Sequence, residues 1–253
     1  RKSACSWGVC MALKIEPRRE VSRALVYGTP VLAIFLTVLS GFFLFAVMGY
    51  DPLTALYFFF VAPLLSLFGL SEIMLKAAPL ILIAVGLAMG FRANVWNIGA
   101  EGQLTCGAIA GGGVALLFWG DEGVWILPLV CFAGLLGGML YAAIPAFLKT
   151  RYEVNEILTS LMLSYVATLL LSALVFGPWK DPMGFNFPQS RMFTDSAILP
   201  IILEGTRLHL GTVIALMIAV AVWVVMSFTI VGFQLRVVGL APAAARFAGV
   251  SRR

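Results

Sequence analysis

Four long stretches of this chain carry no charged side chain, and each is long enough to cross a lipid bilayer. They comprise residues 27–49, 125–148, 157–179 and 210–233. A helix needs about 20 apolar residues to cross a hydrocarbon core about 30 Å thick. The chain is 61% hydrophobic and 11% charged, whereas soluble domains carry about 25% charged residues. The sequence therefore predicts an all-α, polytopic membrane helical bundle.

Two weaker segments add to the predicted crossings. Residues 77–91 are uncharged but short, and the aliphatic stem of Lys76 can extend them towards the interface. Residues 102–120 are rich in glycine and also uncharged up to Asp121. With the four long stretches they give about six transmembrane helices.

The distribution of basic residues sets the predicted topology. Cytoplasmic loops are enriched in Lys and Arg, and Lys14, Arg18 and Arg19 place the N-terminus inside. If residues 52–71 do not cross, the basic C-terminal region also falls inside, whereas a crossing there would put it outside. We therefore predict that residues 52–71 form a re-entrant or interfacial segment on the outer side.

This topology divides the chain into predicted regions. Residues 1–10 precede Met11 and are interpreted as an upstream or non-native extension. The predicted regions that follow are a cytoplasmic N-terminus at 11–26, a transmembrane bundle at 27–233 with an outer loop at 178–207, and a cytoplasmic segment at 234–253. The outer loop is rich in aromatic residues, which favours order against the bundle or a partner, or an aromatic belt at the interface.

The residue types argue against several other functions. The four cysteines form no CxxC pair, and the single histidine, His209, does not make a metal site. The basic residues lie between apolar runs rather than in a patch with aromatic residues, so the pattern does not favour nucleic-acid binding. No metal or serine-hydrolase signature is found, and no catalytic residue is predicted.

Small residues recur at the spacing of helix interfaces. Gly107 and Gly111 form one GxxxG pair, and Gly134 and Gly138 form another. In lipid, such pairs let two helix backbones approach closely. They predict tight packing within the bundle.

A polar stretch, FRANVWNIGAEGQL, interrupts the apolar pattern at residues 91–104. At membrane depth, non-helical backbone is tolerated only where it is buried in protein or lines a cavity. Asn97, Gly99 and Gly102 are poor helix formers. They predict a helix break, with a new helix starting around Ala100.

The role of Glu101 in this stretch has two interpretations. An ionisable residue inside a membrane bundle marks a functional site by default. Alternatively, Glu101 pairs with Arg92 or caps its own helix, where a negative charge is favoured. The residue types alone favour neither interpretation.

A second acidic cluster follows the predicted crossing at 125–148. Glu153 and Glu156 are three residues apart and share a helix face, just after Lys149 and Arg151. A helix N-terminal cap explains these residue types. A gate or a cytoplasmic contact is the less favoured interpretation.

Three segments carry a resemblance to a known family. They are FRANVWNIGAEGQLTCGAIAG at 91–111, EVNEILTSLMLSYVA at 153–167 and QLRVVGLAPAAARFAGVSRR at 234–253. In this order they resemble permease subunits of bacterial ABC importers for nucleosides and simple sugars. That group is related to the ribose-type and branched-chain amino-acid-type permeases.

The resemblance implies a transporter of several subunits in the bacterial plasma membrane. A second permease subunit, identical or homologous, pairs with this one. A cytoplasmic ATP-binding cassette ATPase, which holds ATP and Mg, drives alternating access, and an extracytoplasmic binding lipoprotein delivers the solute. The permease has no catalytic centre and binds no cofactor. Members of the family continue beyond the last matched segment, so we expect the chain to be incomplete at its C-terminus.

The resemblance also turns the predicted helix break into part of the solute path. Amide and carboxylate groups can hydrogen-bond sugar hydroxyls or base edges, and an indole offers a stacking face. The expected pathway residues are Asn94, Trp96, Asn97, Glu101 and Gln103.

The C-terminal segment predicts a short helix at 242–248. Pro242 suits the first turn of a helix, and Gly249 suits its C-terminal stop. The segment resembles the coupling helix that docks on the ATPase, and the other interpretation is an amphipathic helix on anionic lipid. The expected coupling residues are Pro242, Ala244, Arg246, Phe247 and Gly249.

Two other classes of membrane protein fit the composition. An ion- or proton-coupled secondary transporter would use Glu101 as its carrier, but it has no use for an ATPase-docking helix. An intramembrane enzyme needs a nucleophile–base pair or metal ligands within the spans. No such pair is found, so this interpretation ranks last.

Overall fold

The computed structural model describes residues 23–185 and 187–249. Within these ranges the chain folds almost entirely as helices, which confirms the predicted all-α class. It divides into two compact units, Arg1–Ser66 and Leu67–Arg253. The predicted extension at 1–10 lies outside the described residues.

The described part of the first unit is one long helix followed by short helical pieces. Helix α1 spans Arg23–Val47, and α2 (Pro52–Leu56), a π-helical turn and α3 (Ala62–Leu65) follow. Asp51 caps α2 by accepting a hydrogen bond from the backbone N–H of Thr54 at 3.3 Å. The segment at 52–71 is not one continuous helix, because Ser66 is extended and separates α3 from the next helix. Its predicted placement on the outer side remains a prediction.

The second unit contains the rest of the bundle. Its helices are α4 (Leu67–Arg92), α5 (Ala100–Leu117), α6 (Ile126–Tyr152), α7 (Glu156–Phe176), α8 (Leu210–Phe228), α9 (Ile230–Leu240) and α10 (Pro242–Phe247). Helix α5 packs against α6 and α7, and α4 packs against α8 and α9.

Five helices among the described residues are long and apolar enough to cross a membrane, namely α1 from Val26, α4, α6, α7 and α8. Helix α4 begins well before the predicted crossing at 77–91 and contains Glu72 and Lys76. Helix α5 has 18 residues, but its glycines and polar first turns make it less apolar. A sixth crossing by α5 remains a prediction.

The distribution of side chains is the reverse of that in a soluble protein. The buried apolar residues are mostly alanines, such as Ala78, Ala167 and Ala215. The large residues, such as Phe35 and Leu169, point outwards and are exposed. In lipid, large apolar residues gain little from facing another helix, and small residues form the interfaces. The chain is a multi-pass membrane-embedded protein.

The predicted glycine pairs lie at the interface of α5 and α6. A Cβ atom on Gly107 would lie 2.9 Å from the carbonyl oxygen of Gly134. A Cβ atom on Gly111 would lie 3.1 Å from the carbonyl oxygen of Val130, and one on Gly138 would lie 3.3 Å from that of Gln103. The prediction of close backbone approach is confirmed.

The predicted crossing at 210–233 is two helices rather than one. Helix α8 ends at Phe228, Thr229 is extended, and α9 begins at Ile230. Gly232 makes this bend possible, because a Cβ there would lie 2.6 Å from the Cα of Met226. The Arg236 guanidinium donates to the carbonyl oxygen of Met226 and joins the two helices.

The described part of the outer loop packs on one end of the bundle. The ring of Trp179 lies against Gly113, and the ring of Phe193 lies against Gly112. Both glycines belong to α5, whose lack of side chains there leaves room for the rings. Order against the bundle, one of the predicted alternatives, is therefore what the structure shows for these two aromatic residues.

An ion pair also attaches this loop to α4. The Arg207 guanidinium donates to both carboxylate oxygens of Glu72, at 2.8 and 2.6 Å. The carboxylate raises the pKa of Arg207 above its ordinary value. The bidentate geometry fixes the start of α4 to the loop that precedes α8.

Replacing Gly107 by alanine tests the packing of α5 on α6. The added methyl group meets the rigid backbone at Gly134, so we expect a destabilisation of about 1–3 kcal/mol. The thermal unfolding midpoint in detergent measures it. Gly28→Ala is the matched control, since a Cβ on Gly28 has no neighbour within 4 Å. An unchanged midpoint for Gly107→Ala would contradict the described interface.

Candidate functional site

The predicted helix break is a short non-helical connection, residues 93–99, between α4 and α5. Asn94, two residues after the end of α4, lies in the left-handed region, with φ of 58°. Asparagine adopts this conformation more readily than most residues. Helix α5 begins at Ala100, as predicted.

Of the two glycines predicted to make the break, Gly99 lies in it and Gly102 does not. Gly99 immediately precedes α5, but Gly102 lies inside the helix. A Cβ on Gly99 would lie 2.8 Å from the Cβ of Ser160, and one on Gly102 would lie 2.7 Å from the Cα of Ser164. The prediction that Gly102 lies in the break is wrong, because its small size serves the close packing of α5 on α7.

Side chains replace the helical hydrogen bonds that the break loses. The hydroxyl oxygen of Ser160 accepts from the backbone N–H of Ile98 at 3.2 Å. The side-chain oxygen of Asn97 accepts from the backbone N–H of Gly99 at 2.9 Å. Ser160 is only 1% exposed, and Gly99 is buried. The break is held in place by α7 and by its own asparagine.

Two of the predicted pathway residues contact each other. The side-chain amide nitrogen of Asn97 donates to the side-chain oxygen of Gln103 at 3.1 Å. One amide belongs to the break and the other to the first turns of α5. The two side chains are partly buried.

A cavity of about 520 Å³ lies on one side of this amide pair. Helices α4, α5 and α6 line it together with Asn97, and Gln103 is the other amide on its wall. The remaining lining residues are glycines, alanines and larger apolar residues. None of the lining residues carries a charge. Ligand pockets commonly have volumes of about 300–1,000 Å³.

A smaller cavity of about 120 Å³ shares Asn97, Gln103 and Ala142 with the large one. It also contacts Lys149 and Glu156, which form an ion pair between the end of α6 and the start of α7. This end of the bundle is therefore polar, whereas the large cavity is apolar except for the two amides.

The favoured interpretation of the second acidic cluster, a helix N-terminal cap with Glu in the first turn, is confirmed for Glu156, whereas Glu153 lies outside α7 and shares no helix face with it. The Asn155 side chain accepts from the backbone N–H of Ile157 at 3.0 Å and caps α7. Glu156 lies in the first turn of the helix. Glu153 precedes this cap and turns the chain, with φ of 53°.

The other predicted pathway residues take different positions. Trp96 lines the small cavity, and its indole N–H donates to the side-chain oxygen of Asn94 at 3.3 Å. Glu101 is exposed, and neither Asn94 nor Glu101 lines either of the two cavities. Their role in a solute path remains a prediction.

The predicted short C-terminal helix is present as α10. Gly249 has φ of 75°, which fits the predicted stop. Phe247 is 95% exposed, and Ala244 is exposed as well. The side chains of Pro242 and Arg246 lie outside the described residues.

Sequence reasoning missed the residues that hold the break. Ser160 and Ser164 form a small-xxx-small pair, the same kind of signal that identified the glycines of α5 and α6. Gly239 was also missed. A Cβ on this α9 residue would collide with the carbonyl oxygen of Arg92.

The described residues offer no other obvious chemistry at this site. Among them, no group of three or more His, Cys, Asp or Glu side chains lies close enough to hold a metal ion. Cys106 and Cys131 are free thiols. The amides of Asn97 and Gln103 are the polar groups that the large cavity presents.

The chain belongs to the family described as the permease component of branched-chain amino acid transport systems, whose model matches residues 69–253. This match covers all the helices that form the two cavities. No solved structure matches the chain.

Curated relatives include permease proteins of several ABC transporters. The chain is 41% identical over 250 residues to the glucose ABC transporter permease protein TsgB13 of Haloferax volcanii, which covers 95% of this chain and 65% of the relative. It is 31% identical over 227 residues to the guanosine ABC transporter permease protein NupP of Bacillus subtilis, which covers 88% of this chain and 64% of the relative.

A third relative has a similar description. The nucleoside ABC transporter permease protein NupB of Lactococcus lactis is 26% identical over 231 residues, covering 88% of this chain and 64% of the relative. The chain thus spans slightly less than two thirds of the length of each of these three relatives.

Replacing Ser160 by alanine tests how the break is held. The change leaves the backbone N–H of Ile98 without its acceptor, and the loss of a net hydrogen bond costs about 0.5–1.5 kcal/mol. We expect a lower thermal unfolding midpoint in detergent. Ser172→Ala is the matched control, because Ser172 is exposed and bonds only within its own helix. Equal midpoints for the two variants would contradict the assigned role.

Proposed function

We propose that the chain is part of the membrane-spanning permease subunit of an ATP-driven ABC importer for neutral sugars or nucleosides. The observation that carries this proposal is the large cavity between α4, α5 and α6, which has two amide side chains and no charged residue on its wall. The names of the relatives, which refer to glucose, guanosine and nucleosides, support the same solute class.

The lining distinguishes neutral solutes from amino acids. A branched-chain amino acid carries a carboxylate and an ammonium group, and burying either without a partner is costly. The cavity wall supplies no charged partner. A sugar or a nucleoside needs only hydrogen bonds, which amides provide as both donors and acceptors.

Within this proposal, three of the expected pathway residues contact solute. Asn97 and Gln103 face the large cavity and bond sugar hydroxyls or base edges. Trp96, in the small cavity, offers an aromatic face further along the path. Asn94 and Glu101 belong to the path only if the bundle rearranges during transport.

The proposed partners follow from the transporter class. A cytoplasmic ATPase that binds ATP and Mg supplies the energy, a second permease subunit completes the pore, and an extracytoplasmic binding lipoprotein delivers the solute. The exposed Phe247 on α10 supports this helix as the ATPase contact. We place the N-terminus on the cytoplasmic side of a bacterial plasma membrane, following the positive-inside rule.

The permease itself is not proposed to be an enzyme. The matched family consists of permease components, and ATP hydrolysis belongs to the separate ATPase subunit. An ion- or proton-coupled transporter that uses Glu101 is the competing function, and the source of energy distinguishes the two.

Uptake by the assembled transporter in proteoliposomes tests the proposal. With the ATPase and the binding protein present, we expect ATP-dependent accumulation of radiolabelled glucose or guanosine but not of leucine. Phe247→Ala should reduce this uptake at least about tenfold, because interface anchors of this kind cost 2 kcal/mol or more when truncated. Gln189→Ala, in the exposed outer loop, is the control.

Two results would contradict the proposal. Uptake that needs a proton gradient and not ATP would favour the Glu101 carrier. ATP-dependent uptake of leucine without uptake of glucose or guanosine would reject the neutral-solute assignment.

A further inference from the structure

The two cavities meet at the Asn97–Gln103 hydrogen bond. Both amides and Ala142 are common to the walls of the large and the small cavity. The side chains are joined at 3.1 Å, so they stand between the two spaces. The pair therefore closes the passage from one cavity to the other.

The sizes of the cavities show what this closure does. The large cavity, about 520 Å³, falls in the ordinary range for ligand pockets. The small cavity, about 120 Å³, lies below that range. A sugar or nucleoside can occupy the first space but must displace the amide pair to pass through the second.

The two amides belong to different elements. Gln103 belongs to α5, which is packed closely on α6 and α7. Asn97 belongs to the non-helical connection at 93–99, whose first residues bond back to the end of α4 and whose last residues bond to Ser160 and to the Asn97 side chain. A shift of this connection would separate the amides without unfolding a helix.

Helix α9 touches the start of this connection. A Cβ on Gly239 would collide with the carbonyl oxygen of Arg92 and would lie 3.3 Å from the carbonyl carbon of Ala93. Gly239 is the penultimate residue of α9, which ends at Leu240, and α10 begins at Pro242. A displacement of α10 can therefore be transmitted by backbone contact to the residues that carry Asn97.

We propose that the Asn97–Gln103 hydrogen bond is a gate in the solute path, and that α9 sets its position through the contact of Gly239 with Arg92 and Ala93. This proposal rests on the proposed transport function. The gate is closed in the structure. It opens when α9 moves the connection at 93–99, so that the amides exchange their mutual hydrogen bond for hydrogen bonds to the solute hydroxyls.

Passive leak of solute tests the gate. Proteoliposomes that contain the assembled transporter are loaded with radiolabelled glucose or guanosine, and efflux is measured without ATP. For the double variant Asn97→Ala and Gln103→Ala, we expect efflux to rise roughly five- to tenfold, the effect of losing one net hydrogen bond. The matched control is Gln189→Ala, which removes an exposed side-chain amide from the outer loop and should leave efflux unchanged.

A second variant tests the control by α9. Gly239→Ala leaves both amides in place but pushes the backbone at Arg92, so we expect the same kind of leak. Gly28→Ala, whose added methyl meets no neighbour, is the matched control. A leak from the amide variants with none from Gly239→Ala would reject the role of α9.

The remaining outcomes also decide the proposal. If the assembled amide variants show efflux at the wild-type rate, the gate is rejected. ATP-driven uptake by the wild-type transporter in the same preparation would still support the transport function. If the double variant fails to assemble, Gln103→Ala alone is judged by the same criterion, because Asn97 keeps its bond to Gly99. Absence of wild-type uptake would reject the transport function instead.

Discussion

The backbone of residues 93–99 leaves the helical form, and the candidate site depends on the side chains that supply its hydrogen bonds. Ser160 accepts from Ile98, and Asn97 accepts from Gly99. Because the oxygen of Asn97 is occupied in this way, its amide nitrogen is directed to Gln103. The hydrogen bonds that satisfy the backbone of the break therefore also set the position of the Asn97–Gln103 pair between the two cavities.

Close packing of small residues makes this arrangement possible. Glycines at 107, 111, 134 and 138 bring α5 and α6 together, while Gly99 and Gly102 bring α5 against the serines of α7. The large apolar residues are left on the outside, where lipid or other subunits meet them. The wall of the large cavity combines small residues, such as Gly134 and Gly138, with larger apolar ones.

Features that depend on local sequence were predicted well. The start of α5 at Ala100, the N-terminal cap before α7 and the stop at Gly249 each follow from a few neighbouring residues. The break at Thr229 was missed, because it depends on Gly232 meeting the end of α8 and on Arg236 reaching back to Met226. The role of Gly102 was misjudged for the same reason, since its partner Ser164 is distant in sequence.

The position of bound solute would show whether the Asn97–Gln103 pair lies on the solute path. A cryo-electron microscopy map of the assembled transporter with glucose or guanosine would provide it. We expect solute density in the cavity between α4, α5 and α6, within hydrogen-bond distance of the Asn97 or Gln103 side chain. Density beside Glu101, with that cavity empty and the amide pair intact, would contradict a solute path at these amides.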